Sequence, residues 1–311
     1  MKKRLVFMGT PEFAVPCLQA LFDQGYDIVG VYTQPDRARG RGNKMSFSPV
    51  KERAILLDVP VFQPAKLRDE ASQLHLRELA PDIVVVVAYG QILPEALLKI
   101  PSFGCVNVHA SLLPKYRGAA PIHRVIIDGG TETGISIQLM EEGIDTGAVL
   151  ASKKLIVGQT DTTGLLHDRL MYSGAELLVD TIGKWLAGSI VPQPQDSSVA
   201  TYARKIDKQT EQIDWTQSAT KIANLVRGLN PWPGACTGFA GKVLKIWRAT
   251  VSDIKFHGFP GEVVEVNRGG IFVICGDGCV AIEELQLAGA AKQAVEVFVN
   301  SGKIVRGVVF E

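Results

Sequence analysis

Apolar runs and amphipathic stretches alternate along the first part of the chain. The run Ile83–Val87 is β-branched at every position. A strand that is apolar on both faces is covered on both sides, as in parallel sheets flanked by helices. Further strands are predicted over residues 5–8, 27–33, 61–63, 105–109, 134–139 and 148–157, and helices over 12–24, 49–57, 69–79, 121–128 and 162–186. This alternation predicts a doubly wound, mostly parallel, Rossmann-like α/β sheet with its site at the carboxyl ends of the strands.

The first turn of the chain joins a predicted strand to a predicted helix. Thr10 before Pro11 has the form of a helix N-cap followed by proline at the first helical position. A dinucleotide-binding fingerprint needs three glycines at such a turn, and only Gly9 is present. We therefore interpret this turn as structural.

A second kind of pattern begins after residue 188. Residues 188–205 contain Ser, Gln and Pro without apolar periodicity, which is typical of a linker. Beyond it we predict a helix over 217–229 and short strands over 242–250, 261–266, 271–275 and 280–285. Short strands with glycine-rich turns predict a small OB-like barrel, a fold that often binds nucleic acid on one face. The expected organisation is a first domain over 1–188, a linker over 189–205 and a barrel domain over 206–311.

Composition and charge are those of an ordinary globular protein. The 311 residues exceed one typical core, and 46% of them are hydrophobic while 21% are charged. The formal net charge of +1 gives no global attraction to nucleic acid, so an RNA partner would need local patches. The apolar stretch near the amino terminus is too short for a signal peptide or a membrane span. We expect a monomeric, cytoplasmic protein without membrane association.

The cysteines and tryptophans have unremarkable surroundings in the sequence. Five cysteines, an odd number mostly embedded in apolar runs, predict free thiols in a reducing compartment. Cys275 and Cys279 lack a second thiol pair or an adjacent histidine, so the Gly-Asp-Gly between them predicts a hairpin turn and no metal. Trp215 and Trp232 have apolar or proline neighbours and are interpreted as packing residues.

The strand predicted at residues 105–109 carries a polar pair. Because side chains alternate along a strand, Asn107 and His109 share one face while Val106 and Val108 face a packed layer. An asparagine amide donates without ionising, and histidine is the side chain whose ordinary pKa lies near neutrality. The pair suits acyl transfer to an amine. Taken alone, however, an Asn-x-His at a strand end is more often a hydrogen-bonded structural pair.

An apolar, turn-rich loop follows this strand and ends at Pro121, at the edge where open α/β sheets bind their ligands. The segment that begins Asn107-Val-His-Ala-Ser-Leu-Leu-Pro, with Gly143-Ile-Asp-Thr-Gly147 downstream, resembles the formyltransferases that use 10-formyltetrahydrofolate. Stretches at 7–13, 33–37, 87–90 and 230–233 support this resemblance, which spans nearly the whole chain. Within that family the chain is most similar to the members that formylate the amino group of initiator methionyl-tRNA.

The resemblance implies a catalytic set of Asn107, His109 and Asp145. In this interpretation Asn107 donates to the oxyanion of a tetrahedral intermediate, His109 stabilises the oxyanion or moves the proton, and Asp145 orients the imidazole. The division of proton transfer between His109 and Asp145 stays open. Judged by its neighbours alone, an aspartate between two glycines is also typical of an Asx-turn.

The resemblance also implies that 10-formyltetrahydrofolate is bound beside this set. The expected contacts come from the loop after the polar pair and from the segment after Ile83–Val87, and they are Ser111, Leu112, Leu113, Pro114, Tyr89, Gly90 and Ile92. Ser111 lacks an evident base, so we assign it to folate contact and not to nucleophilic attack. A plain connection between a strand and a helix is the alternative for residues 88–94.

A basic loop separates the second predicted strand from the next helix. Arg37, Arg39, Arg41 and Lys44 outnumber the single Asp36, and the glycines among them predict flexibility. Such a loop can order on a phosphate backbone by displacing counterions, although most charged loops are merely solvated. The resemblance favours contact with the acceptor arm of tRNA. It also implies that the barrel domain binds tRNA.

Three functions follow from these patterns. Formyl transfer to methionyl-tRNA explains the polar pair, the basic loop and the second domain together. Formyl transfer to a small amine, such as a sugar nucleotide or a ribonucleotide precursor, leaves the basic loop unexplained. A non-catalytic RNA-binding protein is the third, and the intact Asn-x-His with Asp145 argues against it.

Overall fold

A computed structural model of the protein describes residues 2–39 and 44–311, with the backbone alone for residues 38, 39, 44, 300 and 301. The chain divides into two compact units, which we describe separately. The first comprises residues 1–118, 133–155 and 167–202, and the second comprises 119–132, 156–166 and 203–311. Both units draw on separate stretches of the sequence, so the domain limits expected from the sequence stay a prediction.

The sheet of the first unit contains seven of the described strands. They are β1 (Arg4–Gly9), β2 (Asp27–Tyr32), β5 (Val61–Phe62), β6 (Ile83–Val87), β7 (Cys105–His109), β8 (Glu132–Leu139) and β9 (Val149–Ile156), in the order β5-β2-β1-β6-β7-β8-β9. Strands β2 and β6 pair in parallel with β1, and β7 pairs in parallel with β6. Strand β8 pairs antiparallel with β7. The predicted doubly wound, mostly parallel sheet is confirmed, and β6 is buried along its whole length.

Two further strands form a separate hairpin in the segment predicted to be a flexible loop. Strands β3 (Arg37–Arg39) and β4 (Lys44–Ser46) pair antiparallel, with Arg37 opposite Ser46 and Arg39 opposite Lys44. The loop was expected over residues 36–44, and this expectation is wrong for the four paired positions within it, Arg37–Arg39 and Lys44. Arg41 lies outside the described residues.

Six of the described helices fall close to their predicted places, whereas those over Glu95–Leu98, Lys208–Glu211 and Val295–Ser301 were not predicted. The described helices are α1 (Val15–Asp23), α2 (Pro49–Leu56), α3 (Glu70–Glu78), α4 (Glu95–Leu98), α5 (Pro121–Ile127), α6 (Thr163–Leu186), α7 (Lys208–Glu211), α8 (Ala219–Gly228) and α9 (Val295–Ser301). Helix α2 begins where Ser48 accepts a hydrogen bond from the backbone N–H of Lys51, as an N-cap does. None of the described helices is both long and apolar enough to cross a membrane.

Thr10 does not cap a helix, contrary to expectation. A 3-10 turn over Glu12–Ala14 precedes α1, and no side chain caps either element. The Thr10 hydroxyl donates instead to the carbonyl oxygen of Tyr89 at 2.9 Å and accepts from the backbone N–H of Gln34 at 3.3 Å. Thr10 thus links the carboxyl ends of three neighbouring strands, because the segments that follow β1, β2 and β6 meet at its hydroxyl.

The second unit is built on an antiparallel sheet. Its strands are β10 (Ala235–Phe239), β11 (Lys242–Ser252), β12 (Val263–Asn267), β13 (Gly270–Ile274), β14 (Cys279–Leu287) and β15 (Gln293–Ala294), in the order β10-β11-β14-β13-β12 with β15 beside β14. The predicted small β domain is confirmed, although β10 and β15 were not predicted. Trp215 is buried and donates to the Thr237 hydroxyl at 2.9 Å. Trp232 is 68% exposed, so its assignment as a packing residue is wrong.

The predicted linker is largely held by hydrogen bonds within the first unit. Gln193 and Val149 exchange two backbone hydrogen bonds, of 2.8 and 2.9 Å. The N–H of Arg117 donates to the carbonyl oxygen of Thr201 at 2.8 Å, and the N–H of Thr201 donates to that of Pro114 at 3.3 Å. Residues 189–202 therefore pack as part of the first unit, close to the loop that follows β7.

Candidate active site

Strand β7 brings the polar pair to the carboxyl edge of the sheet. Val106 and Val108 are buried on one face, as alternation predicts. On the other face Cys105 packs in the core with Val84 and Val86, and Asn107 and His109 continue that face beyond the core. His109 is only 6% exposed, whereas Asn107 is half-buried. The strand thus holds both side chains close to a wall of packed aliphatic groups.

Asp145 meets this pair from the turn after β8. One carboxylate oxygen, Oδ2, accepts from the N–H of Gly118 at 2.8 Å and lies 3.6 Å from His109 Nδ1. The other, Oδ1, accepts from Gln138 Nε2 at 2.9 Å and lies 3.5 Å from Asn107 Nδ2. The structure therefore brings together the three residues predicted to be catalytic.

The backbone of this turn is constrained as well as its side chain. Asp145 has a φ of +52°, in the left-handed region that non-glycine residues seldom adopt. A side chain on Gly147 would place a Cβ 1.7 Å from the carbonyl oxygen of Leu139, so the close approach there requires glycine. The turn is consequently fixed by close packing and is more than an isolated Asx-turn.

One ring nitrogen of His109 forms a hydrogen bond within the protein, and the other faces Asp145 without one. Nε2 lies 2.9 Å from the carbonyl oxygen of Tyr116. Because a carbonyl oxygen can only accept, Nε2 carries the proton in this hydrogen bond. Nδ1 faces the Asp145 carboxylate at 3.6 Å, beyond hydrogen-bond length. In the neutral ring, Nδ1 is therefore the nitrogen that offers a lone pair.

The loop after β7 is rigid, and Ser111 is part of its internal bonding. The Ser111 hydroxyl is fully buried and donates to the carbonyl oxygen of Lys115 at 2.6 Å. Ser136 binds the same loop from β8, since its hydroxyl donates to the Ser111 carbonyl oxygen at 2.8 Å and accepts from the N–H of Leu113 at 3.0 Å. The hydroxyl of Ser111 is thus used inside the protein, and its direct contact with folate stays a prediction that this geometry does not favour.

The remaining residues predicted to touch folate differ in availability. Leu112 is directed at β8, where a Cβ on Gly134 would lie 2.6 Å from its Cδ2. Leu113 and Pro114 are half-buried, and the peptide bond between them is cis. Ile92 is 73% exposed. Leu113, Pro114 and Ile92 are accordingly the apolar side chains of this group that a ligand could reach.

Tyr89 does not present its ring to a ligand. The side chain is 1% exposed and packs in the core of the first unit, where burial raises the pKa of its hydroxyl to about 12. Its carbonyl oxygen already accepts from Thr10 and from Gln34 Nε2 at 3.2 Å. Gly90, with a φ of +87°, turns the chain away after it. At Tyr89 and Gly90 a ligand could therefore contact the backbone but not the tyrosine ring.

The cysteines offer neither a nucleophile nor a described metal site. Burial raises the pKa of Cys105 to about 12, so its thiol is neutral at physiological pH although it lies two residues from Asn107. Cys275 and Cys279 flank a hairpin turn, as predicted, and Asp277 within it accepts from the N–H of Ala219 at 2.8 Å. Within residues 2–39 and 44–311, no group of three or more His, Cys, Asp or Glu side chains is arranged to hold a metal ion.

The basic hairpin is anchored at its base by Asp36. The carboxylate accepts from Lys51 Nζ at 2.5 Å and from Gln63 Nε2 at 2.8 Å. These two hydrogen bonds lower the pKa of Asp36, so the anchor is ionised at neutral pH. Gln63 also donates to the carbonyl oxygen of Gln34 at 2.9 Å. Arg37 is exposed beside this anchor, and the side chains of Arg39, Arg41 and Lys44 lie outside the described part of the structure.

Sequence reasoning missed three polar residues around Asp145. Gln138 lies opposite Asn107 in the pairing of β7 with β8, so strand alternation could have found it. Arg117 and Gln195 form a hydrogen-bonded pair that reaches the turn. Gln195 lies within the predicted linker, 50 positions from Asp145, and no local pattern points to it.

The arrangement of fold and site matches a known family. Residues 2–182 match the family described as "Formyl transferase", and residues 205–303 match the family described as "Formyl transferase, C-terminal domain". The chain belongs to the formyl transferase family.

Individual relatives narrow this similarity. The methionyl-tRNA formyltransferase of Alkaliphilus oremlandii is 47% identical over 304 residues, which cover 98% of this chain and 98% of that protein. The protein of the same name from Coxiella burnetii is 49% identical over 301 residues, covering 97% and 96%. Among solved structures, the N-formyltransferase from Helicobacter canadensis in complex with folinic acid and dTDP-3-aminofucose has a TM-score of 0.69 at 18% identity, covering 94% of this chain and 100% of that one. At that identity the likeness concerns the fold alone.

Proposed function

We propose that the protein transfers the formyl group of 10-formyltetrahydrofolate to the free amino group of methionyl initiator tRNA, giving formylmethionyl-tRNA for translation initiation. The observation that carries this proposal is the 47% identity, over nearly the full chain, to a methionyl-tRNA formyltransferase. The convergence of Asn107, His109 and Asp145 supports it, because hydrogen bonds hold His109 and Asp145 at the sheet edge and Asn107 lies 3.5 Å from the same carboxylate.

We assign separate roles in formyl transfer to Asn107, His109 and Asp145. The amine nitrogen attacks the formyl carbon, the carbonyl oxygen becomes an oxyanion, and the bond from carbon to the folate nitrogen then breaks. We assign the oxyanion to the Asn107 amide, whose contact with Asp145 is long enough at 3.5 Å to be exchanged for it. No covalent intermediate with the enzyme is required.

His109 is assigned to the proton. With Nε2–H held by Tyr116, the Nδ1 lone pair accepts the proton that the attacking nitrogen loses. The imidazolium formed in this way lies 3.6 Å from the Asp145 carboxylate, which stabilises its charge. The same proton is then available to the departing folate nitrogen. In this scheme Asp145 stabilises the protonated imidazole, while the carbonyl oxygen of Tyr116 orients the neutral ring.

The folate is assigned to the apolar surface of the same edge. Leu113, Pro114 and Ile92 offer reachable apolar atoms, and the backbone around Gly90 offers a surface without a side chain. A flat pteridine ring fits surfaces of this kind better than a charged or branched ligand would. Ser111 and Leu112 shape the loop from inside.

We assign tRNA contact to the hairpin Arg37–Ser46 and to the carboxyl-terminal domain. The hairpin carries cationic residues on a paired scaffold whose anchor, Asp36, is turned toward Lys51 and Gln63. Contacts with phosphate groups depend more on positive charge and on long side chains than on a fixed geometry. We also propose that the enzyme is monomeric and works in the cytoplasm; the four buried free cysteines support a reducing compartment.

A small-amine formyltransferase is the second candidate. A sugar N-formyltransferase fold resembles this one with a TM-score of 0.62, but at 20% identity and over 78% of this chain. Such an enzyme would share the candidate catalytic set while leaving the basic hairpin without a role.

The deciding experiment offers both kinds of acceptor. The protein is incubated with 10-formyltetrahydrofolate labelled in its formyl group, together with methionyl initiator tRNA or with an amino-sugar nucleotide. We expect label on the methionyl amine and none on the sugar. Label on the sugar alone would replace the proposal with the second candidate, and label on neither would refute both.

A further inference from the structure

A buried arginine, Arg117, and a half-buried glutamine, Gln195, lie behind the Asp145 turn. Nε2 of Gln195 donates to the backbone carbonyl oxygens of Asp145 at 2.8 Å and of Gly147 at 2.7 Å. Oε1 of Gln195 accepts from Arg117, at 3.1 Å from Nε and 2.8 Å from Nη2. One amide thus joins the backbone of the turn to the loop after β7.

Arg117 is an unusual residue to find in this position. It is 2% exposed, and its described acceptors are the neutral oxygens of Gln195 and of Ser197, the latter at 3.4 Å. Within the described residues, no carboxylate lies within ion-pair distance of its guanidinium. A buried cation without an anionic partner is costly in free energy, and a stability role alone gives no reason to keep one there.

The cation determines which way the Gln195 amide points. A guanidinium can only donate, so the amide oxygen must face Arg117 and the amide nitrogen must face the turn. The nitrogen then meets two carbonyl oxygens, which can only accept. Reversal of the amide would break every one of these hydrogen bonds at once. The pair is therefore directional, with Arg117 fixing Gln195 and Gln195 fixing the turn.

A second link connects the pair to the carboxylate itself. Gln195 Nε2 lies 3.3 Å from Gln138 Oε1, and Gln138 Nε2 donates to Asp145 Oδ1 at 2.9 Å. Gln195 thus binds the backbone of Asp145 directly and its carboxylate through Gln138. Because Asp145 has a φ of +52°, its backbone would relax to an ordinary conformation without such restraint.

We propose that Arg117 and Gln195 form a positioning clamp, which holds the Asp145 carboxylate where it stabilises the protonated ring of His109. This inference rests on the proposed function, because it takes Asp145 as a member of the catalytic set. Neither clamp residue contacts the reacting atoms. The clamp predicts a loss in the chemical step without a loss in substrate binding.

The test is the isosteric variant Gln195→Glu. Its carboxylate still accepts from Arg117, but it cannot donate to the carbonyl oxygens of the turn. We expect kcat for formyl transfer to fall about 10- to 100-fold, with KM for both substrates within about twofold of wild type. The matched control is Gln193→Glu, the same change two positions away. Among the described residues, the Gln193 side chain binds the carbonyl oxygen of Val191 and nothing at the Asp145 turn. The control should have the kcat of wild type.

A double-mutant cycle separates positioning from a general loss of structure. In the background of Asp145→Asn, the Gln195→Glu change should lower kcat by less than about twofold, since the clamp acts through Asp145. An undiminished loss in that background would overturn the clamp, as would a Gln195→Glu enzyme with the kcat of the Gln193→Glu control. If Gln195→Glu fails to fold, Gln195→Met supplies the same comparison without an added charge. A wild type that formylates no methionyl-tRNA refutes the proposed function, whereas an active wild type with unaffected Gln195 variants refutes the clamp alone.

Discussion

The Asp145 turn together with Asn107 and His109, here called the Asp145 corner, is assigned to the chemical step, and the basic hairpin is assigned to tRNA binding. The two regions are built differently. At the corner, the Asp145 carboxylate accepts from a side chain and from a backbone N–H that reach it from different strands and loops. In the described chain, strands β3 and β4 of the hairpin pair only with one another, and the anchor lies at one end. Chemistry at a carbonyl depends on placement to a fraction of an ångström, whereas contact with a phosphate backbone depends mostly on charge.

The difference extends to the kind of hydrogen bond used. The corner is built around one carboxylate, which accepts from an amide and from a backbone N–H, while the buried guanidinium of Arg117 fixes the direction of the Gln195 amide behind it. The hairpin instead has a compact charged anchor, the ion pair of Asp36 with Lys51, beside the exposed Arg37. Damage to the corner should therefore affect turnover, and damage to the hairpin should affect tRNA affinity.

The largest effect is expected from Asn107→Ala. Loss of an oxyanion donor should lower kcat about 100- to 1000-fold while the fold and tRNA binding stay intact. His109→Ala should act in the same direction. Single-turnover kinetics measure the step, and thermal unfolding checks the fold. The control Asn267→Ala removes an amide in a turn of the second unit, where it binds Glu265. Near-normal turnover in either corner variant would remove that residue from the mechanism.

Neutralising the hairpin cations should have the next largest effect. Changing Arg37, Arg39, Arg41 and Lys44 together to glutamine should weaken tRNA binding roughly 10- to 100-fold at low salt. It should also make the slope of log affinity against log salt shallower by up to about 3, because fewer counterions are released. Folate binding should be unchanged. Arg41 is expected to be the most costly single position, since glycines on both sides let the backbone approach closely and a guanidinium can bind phosphate with two donors.

A charge-matched control keeps this experiment specific. Four exposed cations elsewhere in the first unit can be neutralised in the same way, namely Lys66, Arg68, Arg77 and Lys99. This variant should retain both the affinity and the salt slope of wild type. Parallel binding curves of equal affinity for the hairpin variant and the control would mean that the hairpin is merely solvated, and tRNA contact by the hairpin would be withdrawn.

The smallest effect is expected from Gln63→Met. This change removes the donor to Asp36 and to the carbonyl oxygen of Gln34 without altering any charge. Loss of about 1 kcal/mol of anchoring should reduce tRNA affinity roughly fivefold. The salt slope should not change, because every cation is retained. The control is Gln73→Met. Gln73 lies in α3 and donates to the carbonyl oxygen of Arg68. A shallower slope in Gln63→Met would show that the anchor supplies charge and not orientation.

Patterns with a short period predicted the arrangement of β7 and the burial of β6, whereas the role of Asp145 came from the family resemblance. Alternation along β7 was sufficient to place Asn107 and His109 on one face and the two valines on the other. The same rule applied to β8 would have added Gln138, which pairs across from Asn107. The burial of β6 followed from its β-branched run. These features depend on neighbours two positions apart, which the sequence displays directly.

Side-chain direction within loops could not be predicted in this way. Ser111 and Tyr89 lie in the expected segments, yet the Ser111 hydroxyl binds Lys115 and the Tyr89 ring enters the core. Apolar neighbours suggested burial of Trp232, but they do not determine the direction of its ring. The strands of the hairpin were missed because alanine and lysine have little strand preference. Pairing between the two short segments formed the strands in spite of this composition.

The segment 189–202 bears on how such proteins exchange parts during evolution. The sequence predicts that this segment separates two domains, and on that basis recombination at residue 188 would leave both domains intact. Such a junction would exchange Gln195 together with Thr201, whose N–H and carbonyl oxygen bind the loop that carries Arg117. A carboxyl-terminal domain inherited from another protein would then bring a foreign segment to the Asp145 turn. Junctions beyond Tyr202 keep the segment with its own active site, and we expect viable chimaeras within the family to be joined there.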